Sequence, residues 1–465
     1  MLLFYGLAAA ECGGTDKDMN EKTIAAISTP AGTGGIAVIR ISGSGAVGYA
    51  DKIFKGSAAL SDVPSHTVHY GYITDEHGKH IDEVLVTVMR APRTYTREDV
   101  VEISTHGGMM VSKRVMQRLI SVGVFPAEPG EFTKRAFLNG RIDLSQAEGV
   151  IDIINSKTAL SQKNALSQAE GGLSREINGI RSELVHLAAQ MQVAIDYPDE
   201  ELEDVTAEDI SDTLADVLSH MERLIKTADS GRIISEGIKT AIIGKPNVGK
   251  SSLLNCLVRG ERAIVTDVAG TTRDVIEEFV NLDGVPLRLL DTAGIHETQD
   301  TVEKIGVERS KRAADEADLI ILMLDLSRST DEEDELLLEL TKDRKRIIVG
   351  NKSDKKTVSA DGAIEISALT GDGVDVLADR IRTMYNLGEL DADSGTIVTN
   401  MRHLAALISA KEAAARALSA MENGMPQDFA ALDIHDAVAC LGEITGDTVS
   451  EDIVTEIFHN FCVGK

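Results

Sequence analysis

Gly244-Lys245-Pro246-Asn247-Val248-Gly249-Lys250-Ser251 decides the fold of this chain, because it has the G-x-x-x-x-G-K-S form of a phosphate-binding loop. Its glycines allow backbone N–H groups to turn toward phosphate oxygens, and the helix that follows adds its positive amino-terminal end. The Lys250 ammonium can bridge the β- and γ-phosphates, and the Ser251 hydroxyl can bind Mg²⁺. The stretch predicts a nucleoside triphosphate site formed by Asn247, Val248, Gly249, Lys250, Ser251 and Ser252.

Three further motifs follow this loop in the order that a GTP-binding domain requires. Asp291-Thr292-Ala293-Gly294 has the D-x-x-G form that senses the γ-phosphate, and Asn351-Lys352-Ser353-Asp354 has the N-K-x-D form that reads guanine. The Asp354 carboxylate matches the N1–H and exocyclic amine of guanine. Ser367-Ala368-Leu369 has the form of the last loop that contacts the base. One match could arise by chance, but four in this order predict GTP binding by Asp291, Thr292, Ala293, Gly294, Asn351, Lys352, Asp354, Ser367, Ala368 and Leu369.

Apolar runs precede these motifs and predict buried parallel strands. The runs are Thr240-Ala241-Ile242-Ile243, Leu287-Arg288-Leu289-Leu290, the stretch from Leu319 to Leu324, and Ile347-Ile348-Val349. Each motif therefore falls at the carboxyl end of a strand, which is where open α/β sheets bind ligands. We expect a Ras-like α/β P-loop G domain.

The residue that orients the attacking water differs from a Ras-type enzyme, in which a glutamine follows D-x-x-G directly. Here that position is Ile295, which cannot orient water. Glu303 is the leading candidate for a catalytic role beside Lys250 and Thr272. From spacing alone, the alternative that Glu303 is a solvated acid in a charged segment is equally favoured.

The segment from Thr266 to Asp274 should be switch I, in which Thr272 joins Ser251 as a predicted Mg²⁺ contact. Asn247 adds a neutral carbonyl near the phosphates. Oxygen ligands from Asn247 and the loop backbone could hold a monovalent cation, which would neutralise transition-state charge. The alternative that Asn247 only shapes the turn stays open.

Composition bounds the class of protein. A chain of 465 residues, with 43% hydrophobic and 26% charged residues, predicts two or three soluble domains. The formal charge of −28 argues against a broad, sequence-independent RNA-binding surface. The sequence has no run of about 18 apolar residues, so it does not predict a membrane-spanning helix. The four scattered cysteines have no metal-ligand spacing, so we expect free thiols and a cytoplasmic location.

The periodicity of apolar residues changes along the chain and predicts its domains. We expect residues 1–18 to be a disordered extension and residues 19–137 to form a strand-rich α+β domain. The helical period begins after that domain, is interrupted by the G domain, and then returns. We therefore expect an all-α domain interrupted by an inserted G domain, with helical parts at 138–233 and 387–465 and the G domain at 234–386.

With these features together, the chain resembles the tRNA-modification GTPases of the MnmE/TrmE family, over nearly all of 19–465. The residues that carry the resemblance outside the G domain are Thr29-Pro30, Gly34-Gly35, Arg40-Ile41-Ser42-Gly43, Glu98-Asp99-Val100-Val101-Glu102, His106-Gly107-Gly108, Pro129-Gly130-Glu131-Phe132-Thr133, Arg135-Ala136-Phe137-Leu138-Asn139, Asp143-Leu144-Ser145-Gln146-Ala147-Glu148 and Phe461-Cys462-Val463-Gly464-Lys465.

The resemblance implies a homodimer built through an N-terminal domain that binds 5-formyl- or methylene-tetrahydrofolate. The implied folate contacts are Arg40, Glu102, Arg141 and Lys465. Basic residues suit the folate carboxylates, and a carboxylate suits the donor edge of the pterin. Relatives can carry lysine where this chain has Arg141. The arginine keeps the positive charge, but its guanidinium is a planar fork rather than a point charge.

The resemblance also implies K⁺-stimulated GTP hydrolysis through dimerisation of G domains, with Glu303 as the water-orienting acid. The implied K⁺ ligands are Asn247, Thr266, Val268 and Thr271. Turnover would support addition of a (carboxymethyl)aminomethyl group at C5 of the wobble uridine of tRNA. It would do so in a heterotetramer with an FAD-dependent protein of the MnmG/GidA type. Cys462 could be a functional thiol or a structural one.

Two alternatives compete with this interpretation. A ribosome-assembly GTPase of the Era or Der type would share Asn247 and the stretch from Thr271 to Asp274, but would need a K-homology module or a second G domain. A nucleotide-gated scaffold, in which slow hydrolysis only resets the protein, would separate hydrolysis from tRNA modification.

Overall fold

The computed structural model describes residues 22–196, 206–259, 278–290, 311–385 and 396–464. The chain divides into two compact units, one comprising Met1–Ala147 with Thr445–Lys465 and the other Glu148–Ile444. Within the described ranges, no helix combines the length and apolar character that crossing a membrane requires.

Strands and helices are numbered separately in chain order. The strands are β1 (Ile24–Ile27), β2 (Ile36–Ser42), β3 (Phe54–Gly56), β4 (Thr67–Thr74), β5 (His80–Met89), β6 (Val100–His106), β7 (Phe125–Pro126), β8 (Ile238–Gly244), β9 (Glu278–Leu282), β10 (Val285–Leu289), β11 (Leu319–Asp325), β12 (Arg346–Asn351) and β13 (Ile364–Glu365). The helices are α1 (Ala46–Ile53), α2 (Met109–Ser121), α3 (Glu131–Leu138), α4 (Leu144–Asn155), α5 (Ala159–Ala169), α6 (Gly172–Asp196), α7 (Ala207–Lys226), α8 (Ala228–Glu236), α9 (Lys250–Arg259), α10 (Glu332–Leu340), α11 (Val374–Met384), α12 (Met401–Glu422), α13 (Gln427–Thr445) and α14 (Glu451–His459).

The first unit is built on a seven-stranded sheet with the order β3-β4-β5-β6-β2-β1-β7. Neighbouring strands are antiparallel except β1 and β7, which are parallel. The hairpin of β4 and β5 closes because the Asp75 carboxylate accepts hydrogen bonds from the N–H groups of His77 and Lys79. Gly78 has the φ of +77° that this turn requires. The hairpin and the helix α2 agree with the predicted strand-rich α+β character of this part of the chain.

One face of this sheet forms the main core of the unit, and the other face is open over part of its area. Alternate residues of β2, β5 and β6 join the buried side chains of α1 and α2 in one apolar cluster. The intervening residues of these strands, and alternate residues of β4, point to the opposite face. Several large apolar side chains are exposed there: Ile36, Val68, Tyr70 and Leu85. This face therefore has exposed apolar side chains on β2, β4 and β5, whereas at β1 its residues Ile24 and Ala26 are buried against Phe132 of α3.

The C-terminal segment lies in the first unit. Phe458 and Phe461 are buried, and the Phe458 ring lies 6.2 Å from the Phe137 ring. Val463 forms a bridge with Pro129 in an antiparallel pair. Apolar periodicity alone groups this segment with the second helical part, but its aromatic residues are buried against α3 instead. The boundaries of the domains remain predictions.

Helices α6, α7, α12 and α13 of the second unit share one buried core. An apolar stripe of each of the first two helices is buried in it: Ile180, Leu184, Leu187 and Met191 on α6, and Ile210, Leu214, Val217, Met221 and Leu224 on α7. Alanines of α12 face these stripes, and their small side chains allow a close approach between helices. The capping box of Thr206 and Asp209 fixes the start of α7.

The G domain of the second unit has a six-stranded sheet with the order β13-β12-β11-β8-β10-β9. All neighbours are parallel except β9 and β10, which are antiparallel. This order confirms the predicted strands and the Ras-like α/β sheet. Together with the first unit and the helical core, it confirms the predicted multidomain fold class.

Glu148 joins helices that lie far apart in sequence. Its carboxylate accepts hydrogen bonds from Asn400 at 3.0 Å, Arg402 at 2.7 Å and His403 at 2.6 Å. Burial alone would raise the pKa of Glu148, but His403 and Arg402 outweigh it and hold the pKa below its usual value. The charged carboxylate therefore ties α4, before the G domain, to α12, after it.

Asp152, one turn beyond Glu148, gives a pH-dependent prediction. Burial, with the Glu148 charge as a second cause, raises its pKa to about 6. In the unfolded state, the pKa of this carboxyl is about 3.9, so the folded state binds the proton more tightly. The free energy of unfolding therefore falls as the pH rises from about 4 to about 6. We expect Asp152→Asn to stabilise the protein by up to about 3 kcal/mol near pH 8 and to have little effect near pH 4. Denaturant-unfolding midpoints at both pH values measure this.

The matched control is Asp212→Asn, which changes an exposed residue of α7. It should shift the midpoint little at either pH. Equal effects of Asp152→Asn at both pH values would contradict this role of Asp152.

Candidate functional site

The phosphate-binding loop connects the end of β8 at Gly244 to the start of α9 at Lys250. Asn247 and Gly249 have φ angles of +63° and +108°, so both lie in the left-handed region that such a turn needs. The Lys250 Nζ donates to the carbonyl oxygens of Gly244 at 2.7 Å and Lys245 at 2.9 Å. Burial lowers the pKa of Lys250. An anion at the start of α9 would compensate this desolvated ammonium.

Asn351 joins three loops of the site through its buried side-chain amide. Its Nδ2 donates to the Val248 carbonyl at 2.8 Å, and its Oδ1 accepts from the Ala368 N–H at 2.9 Å. A Cβ built on Gly249 would lie 2.1 Å from that Nδ2, so the amide leaves no room for a side chain there. The phosphate loop, the N-K-x-D loop and the S-A-L loop are thus fixed to one another.

The loop that would read the base is ordered around Asp354. Its Oδ1 accepts a hydrogen bond from the Ser367 hydroxyl at 2.9 Å. The Ser353 N–H donates to the Ile366 carbonyl at 3.0 Å, which holds this loop beside the S-A-L segment. Leu369 is 81% exposed, so its side chain makes no core contact. The structure brings together the predicted base-reading residues Asn351, Asp354, Ser367 and Ala368.

Lys245 contributes an ion-pair cluster that the sequence motifs did not indicate. Its Nζ lies 2.7 Å from the Asp331 carboxylate and 2.6 Å from the Glu333 carboxylate. These hydrogen bonds raise the pKa of Lys245, and Lys245 in turn holds the pKa of Asp331 at about 2. Asp331 also caps α10. The cluster ties the phosphate loop to that helix, although such solvent-exposed pairs stabilise a fold only weakly.

Several predicted site residues lie outside the described residues: Thr266, Val268, Thr271, Thr272, Asp291, Thr292, Ala293, Gly294, Glu303 and Lys465. Their roles stay predictions. Of the predicted metal ligands, Ser251 lies in the first turn of α9, and Asn247 is exposed in the turn. The left-handed conformation of Asn247 fits the turn-shaping role directly, and its role toward a cation stays a prediction.

A second cluster in the first unit brings together three of the four predicted folate contacts. Arg40 donates from Nε to the Glu102 carboxylate at 2.9 Å and from Nη1 to the Gly464 carbonyl at 3.2 Å. The Tyr95 ring lies 5.9 Å from the Arg40 guanidinium and 4.7 Å from that of Arg141, within cation–π range. Sequence patterns do not indicate Tyr95, because a tyrosine within a loop gives no local signal of a site.

Cys462 is exposed at the end of the chain near this cluster of the first unit. Its backbone carbonyl accepts a hydrogen bond from the Gly130 N–H at 3.3 Å. This contact fixes the backbone of the tail, and a functional role of the thiol stays a prediction.

The second unit therefore carries a phosphate-binding loop and a guanine-type reading loop at the carboxyl edge of one parallel sheet, joined by a buried amide. This fold and this site define the class of P-loop guanine-nucleotide-binding proteins. Likeness to known proteins narrows that class to one family.

Two family models match the chain along nearly its whole length. The MnmE helical domain matches residues 144–462, and the GTP-binding protein TrmE N-terminus matches residues 23–141. The tRNA modification GTPase MnmE of Lactobacillus helveticus (strain DPC 4571) is 50% identical over 454 residues, covering 95% of this chain and 98% of that protein. The tRNA modification GTPase MnmE of Acetivibrio thermocellus is 48% identical over 456 residues, which cover 96% of this chain and 99% of that protein. The chain belongs to the MnmE family of tRNA modification GTPases.

Among solved structures, a crystal structure of Era with MgGDPNP and a segment of 16S ribosomal RNA is 29% identical. The matched region covers 38% of this chain and 66% of the Era chain, with a TM-score of 0.25. That score is too low to support an inference about function. The alternative of an Era- or Der-type GTPase is not favoured, because the MnmE relatives match the domains on both sides of the G domain.

The role of Asn351 gives a prediction for the site. Asn351→Asp would place a carboxylate oxygen against the Val248 carbonyl, replacing a buried donor by a second acceptor. We expect the affinity for GDP to fall at least about tenfold, equivalent to about 1.4 kcal/mol, in fluorescence titrations with a labelled nucleotide. The control is Asn281→Asp, because the Asn281 side chain accepts from the Gly284 N–H, and a carboxylate keeps that bond. Equal affinity of Asn351→Asp and the parent chain would contradict this role.

Proposed function

We propose that the chain is an enzyme that hydrolyses GTP and takes part in the modification of tRNA. The observation that carries the proposal is its identity of 48–50% to tRNA modification GTPases over about 95% of the chain. The joined phosphate and base loops support the GTP-dependent part independently of that likeness. No feature of the described residues favours a second function.

Phosphoryl transfer to water needs positioned groups and neutralised charge rather than covalent chemistry. Lys250 and the N–H groups at the start of α9 would hold the phosphates, and Asp354 would select guanine by its donor edge. Ser251 and Thr272 would hold Mg²⁺, which supplies positive charge to the phosphates. Glu303 would orient the attacking water in place of the glutamine that Ile295 replaces.

A K⁺ ion is proposed as the charge-neutralising group that an arginine supplies in other GTPases. Asn247 and Thr271 would contribute side-chain oxygens and Thr266 and Val268 further oxygens, when two G domains associate. The exposure of Asn247 in the turn beside the phosphates supports this set. Neutral oxygens suit a hard monovalent cation that must be released again.

The first unit is proposed to form the homodimer and to bind tetrahydrofolate, as the 5-formyl or methylene form. The exposed apolar side chains of Ile36, Val68, Tyr70 and Leu85 on one sheet face support dimerisation, because exposed apolar surface is typical of protein interfaces. Arg40, Arg141 and Lys465 would bind carboxylates of the folate, and Glu102 its pterin donors. The Tyr95 ring beneath both guanidiniums supports a site for a flat, anionic ligand.

The remaining parts of the proposal concern partners and location. An FAD-dependent protein of the MnmG type would complete a heterotetramer that modifies C5 of the wobble uridine with a (carboxymethyl)aminomethyl group. The folate would supply the one-carbon unit. The location would be cytoplasmic, where tRNA, GTP and K⁺ are available, with no membrane partner.

Nucleoside mass spectrometry of bulk tRNA tests this function. A strain lacking the gene should lose 5-aminomethyl-type wobble uridines, and the intact gene should restore them. Glu303→Gln should fail to restore them and should lower GTP turnover at least about a hundredfold, as expected for a group that acts on the reacting water. Unchanged tRNA in the deletion strain would sink the proposal.

The matched control is Glu297→Gln, an acid in the same segment. It should restore the modification and keep turnover within about threefold of the parent. An equal loss of GTP turnover and tRNA modification in both variants would contradict a specific role of Glu303 and would favour a general effect of the charged segment. Modification that persists without turnover would favour the nucleotide-gated scaffold.

The folate site is tested by Arg40→Gln, which removes the charge facing Glu102. We expect the affinity for 5-formyl-tetrahydrofolate in calorimetric titrations to fall at least about tenfold, because charge-assisted hydrogen bonds are the strong contacts of such a ligand. Arg118→Gln is the control, since Arg118 is half-buried and bonded to the Thr74 carbonyl elsewhere in the unit. Unaltered affinity in Arg40→Gln, with a normal melting curve, would contradict the assignment of Arg40.

A further inference from the structure

Asp325 is the last residue of β11 and lies beside the base-reading loop without belonging to any of its motifs. Its side chain is only 9% exposed. Its Oδ1 accepts hydrogen bonds from the Ser327 N–H at 2.9 Å and the Ser327 hydroxyl at 2.6 Å. Its Oδ2 lies 2.6 Å from the Lys352 Nζ. One buried carboxylate thus fixes its own turn and the lysine of the N-K-x-D loop.

Lys352 is held in a conformation that non-glycine residues seldom adopt, with a φ of +64°. Its ammonium is paired with Asp325, whereas the Asp354 carboxylate accepts a hydrogen bond from Ser367. Without that partner, a lysine on a flexible four-carbon stem would sample many rotamers in water. The ion pair therefore selects one direction for the side chain.

The anchor itself is rigid. Asp325 faces Asn351 across the ladder of β11 and β12, directly before Lys352. The Leu326 N–H donates to the Asn351 carbonyl at 2.9 Å, and the Leu326 carbonyl accepts from the Thr357 N–H at 2.8 Å. Leu326 also fills the space above Gly350, where a Cβ would meet it at 2.8 Å. The carboxylate is thus fixed relative to the loop that it serves.

We propose that Asp325 is a positioning residue of the guanine-nucleotide site, which acts by holding Lys352 so that its alkyl stem, rather than its charge, faces the base. The inference rests on the proposed GTP function and deepens it. Asp354 would read the edge of the base, and the positioned stem of Lys352 would contact its flat face. Preorganisation of this stem lowers the entropy lost on binding.

The protonation state of Asp325 fits this role. Burial alone would raise its pKa, but the hydrogen bonds from Lys352 and Ser327 outweigh burial and hold the pKa below its usual value. The carboxylate is therefore charged at neutral pH.

A double-mutant cycle on the full chain tests whether Asp325 acts through Lys352. The probe is fluorescent mant-GDP, and the readout is its Kd. Asp325→Asn and Lys352→Met should each raise the Kd about tenfold, and the double variant should be no weaker than either single one. The GTP concentration that gives half-maximal turnover should rise in parallel with the Kd in all three variants, because the effect lies in ground-state binding of the base. Additive effects, or a loss in kcat with unchanged Kd, would overturn the proposal.

Two further variants keep the test decisive if Asp325→Asn fails to fold. Lys352→Arg retains a cation that can reach Asp325, so its Kd should stay within about threefold of the parent, whereas Lys352→Met loses the anchor. An equal loss in Lys352→Arg and Lys352→Met would overturn the proposal. Ser327→Ala removes one hydrogen bond from the carboxylate but keeps the ion pair, and its Kd should not change. If the parent chain itself fails to bind mant-GDP, the proposed GTP function fails instead.

Discussion

The pair of hydrogen bonds made by the Asn351 amide is the constraint on which the nucleotide site depends. The amide has one donor side and one acceptor side, and the structure satisfies the first with Val248 and the second with Ala368. Because the residue is only 3% exposed, leaving either bond unmade would cost about 1–3 kcal/mol. This requirement selects one relative placement of three loops, of which the first lies 103 residues before Asn351 and the last 17 residues after it. The strands β8, β12 and β13 precede the three loops, and the Asn351 amide fixes the placement of the loops relative to one another.

A second constraint explains how the G domain can be inserted in a helical domain. The chain enters the G domain after α8 and leaves it before α12, so these two segments must lie close together. They do so at Gly231, where a Cβ would lie 2.0 Å from the Val398 carbonyl, and at Thr227, whose hydroxyl accepts from the Val398 N–H at 3.0 Å. The Glu148 carboxylate adds a further link between α4 and α12. These contacts hold the segments on the two sides of the G domain against each other.

Much of this architecture could be predicted from local sequence, because local patterns determine it. The glycines and Lys250 define the phosphate loop, and the regular spacing of Ile210, Leu214 and Val217 defines the buried stripe of α7. Asp325, Tyr95 and the Glu148 cluster could not be found in this way. Each acquires its role from partners distant in sequence, such as Lys352, Arg40 and His403. The packing of the C-terminal segment on α3 could not be predicted for the same reason, since an aromatic pair such as Phe458 and Phe137 has no local signature.

If the loops joined by Asn351 form a site for guanine nucleotides, that site must discriminate between purine bases. Calorimetric titration of the full chain with GDP, and separately with ADP, tests this selectivity most directly. We expect saturable binding of a single GDP per chain and no measurable binding of ADP, because Asp354 requires the donor edge of guanine. Equal binding of both nucleotides, or binding of neither, would contradict the role of these loops.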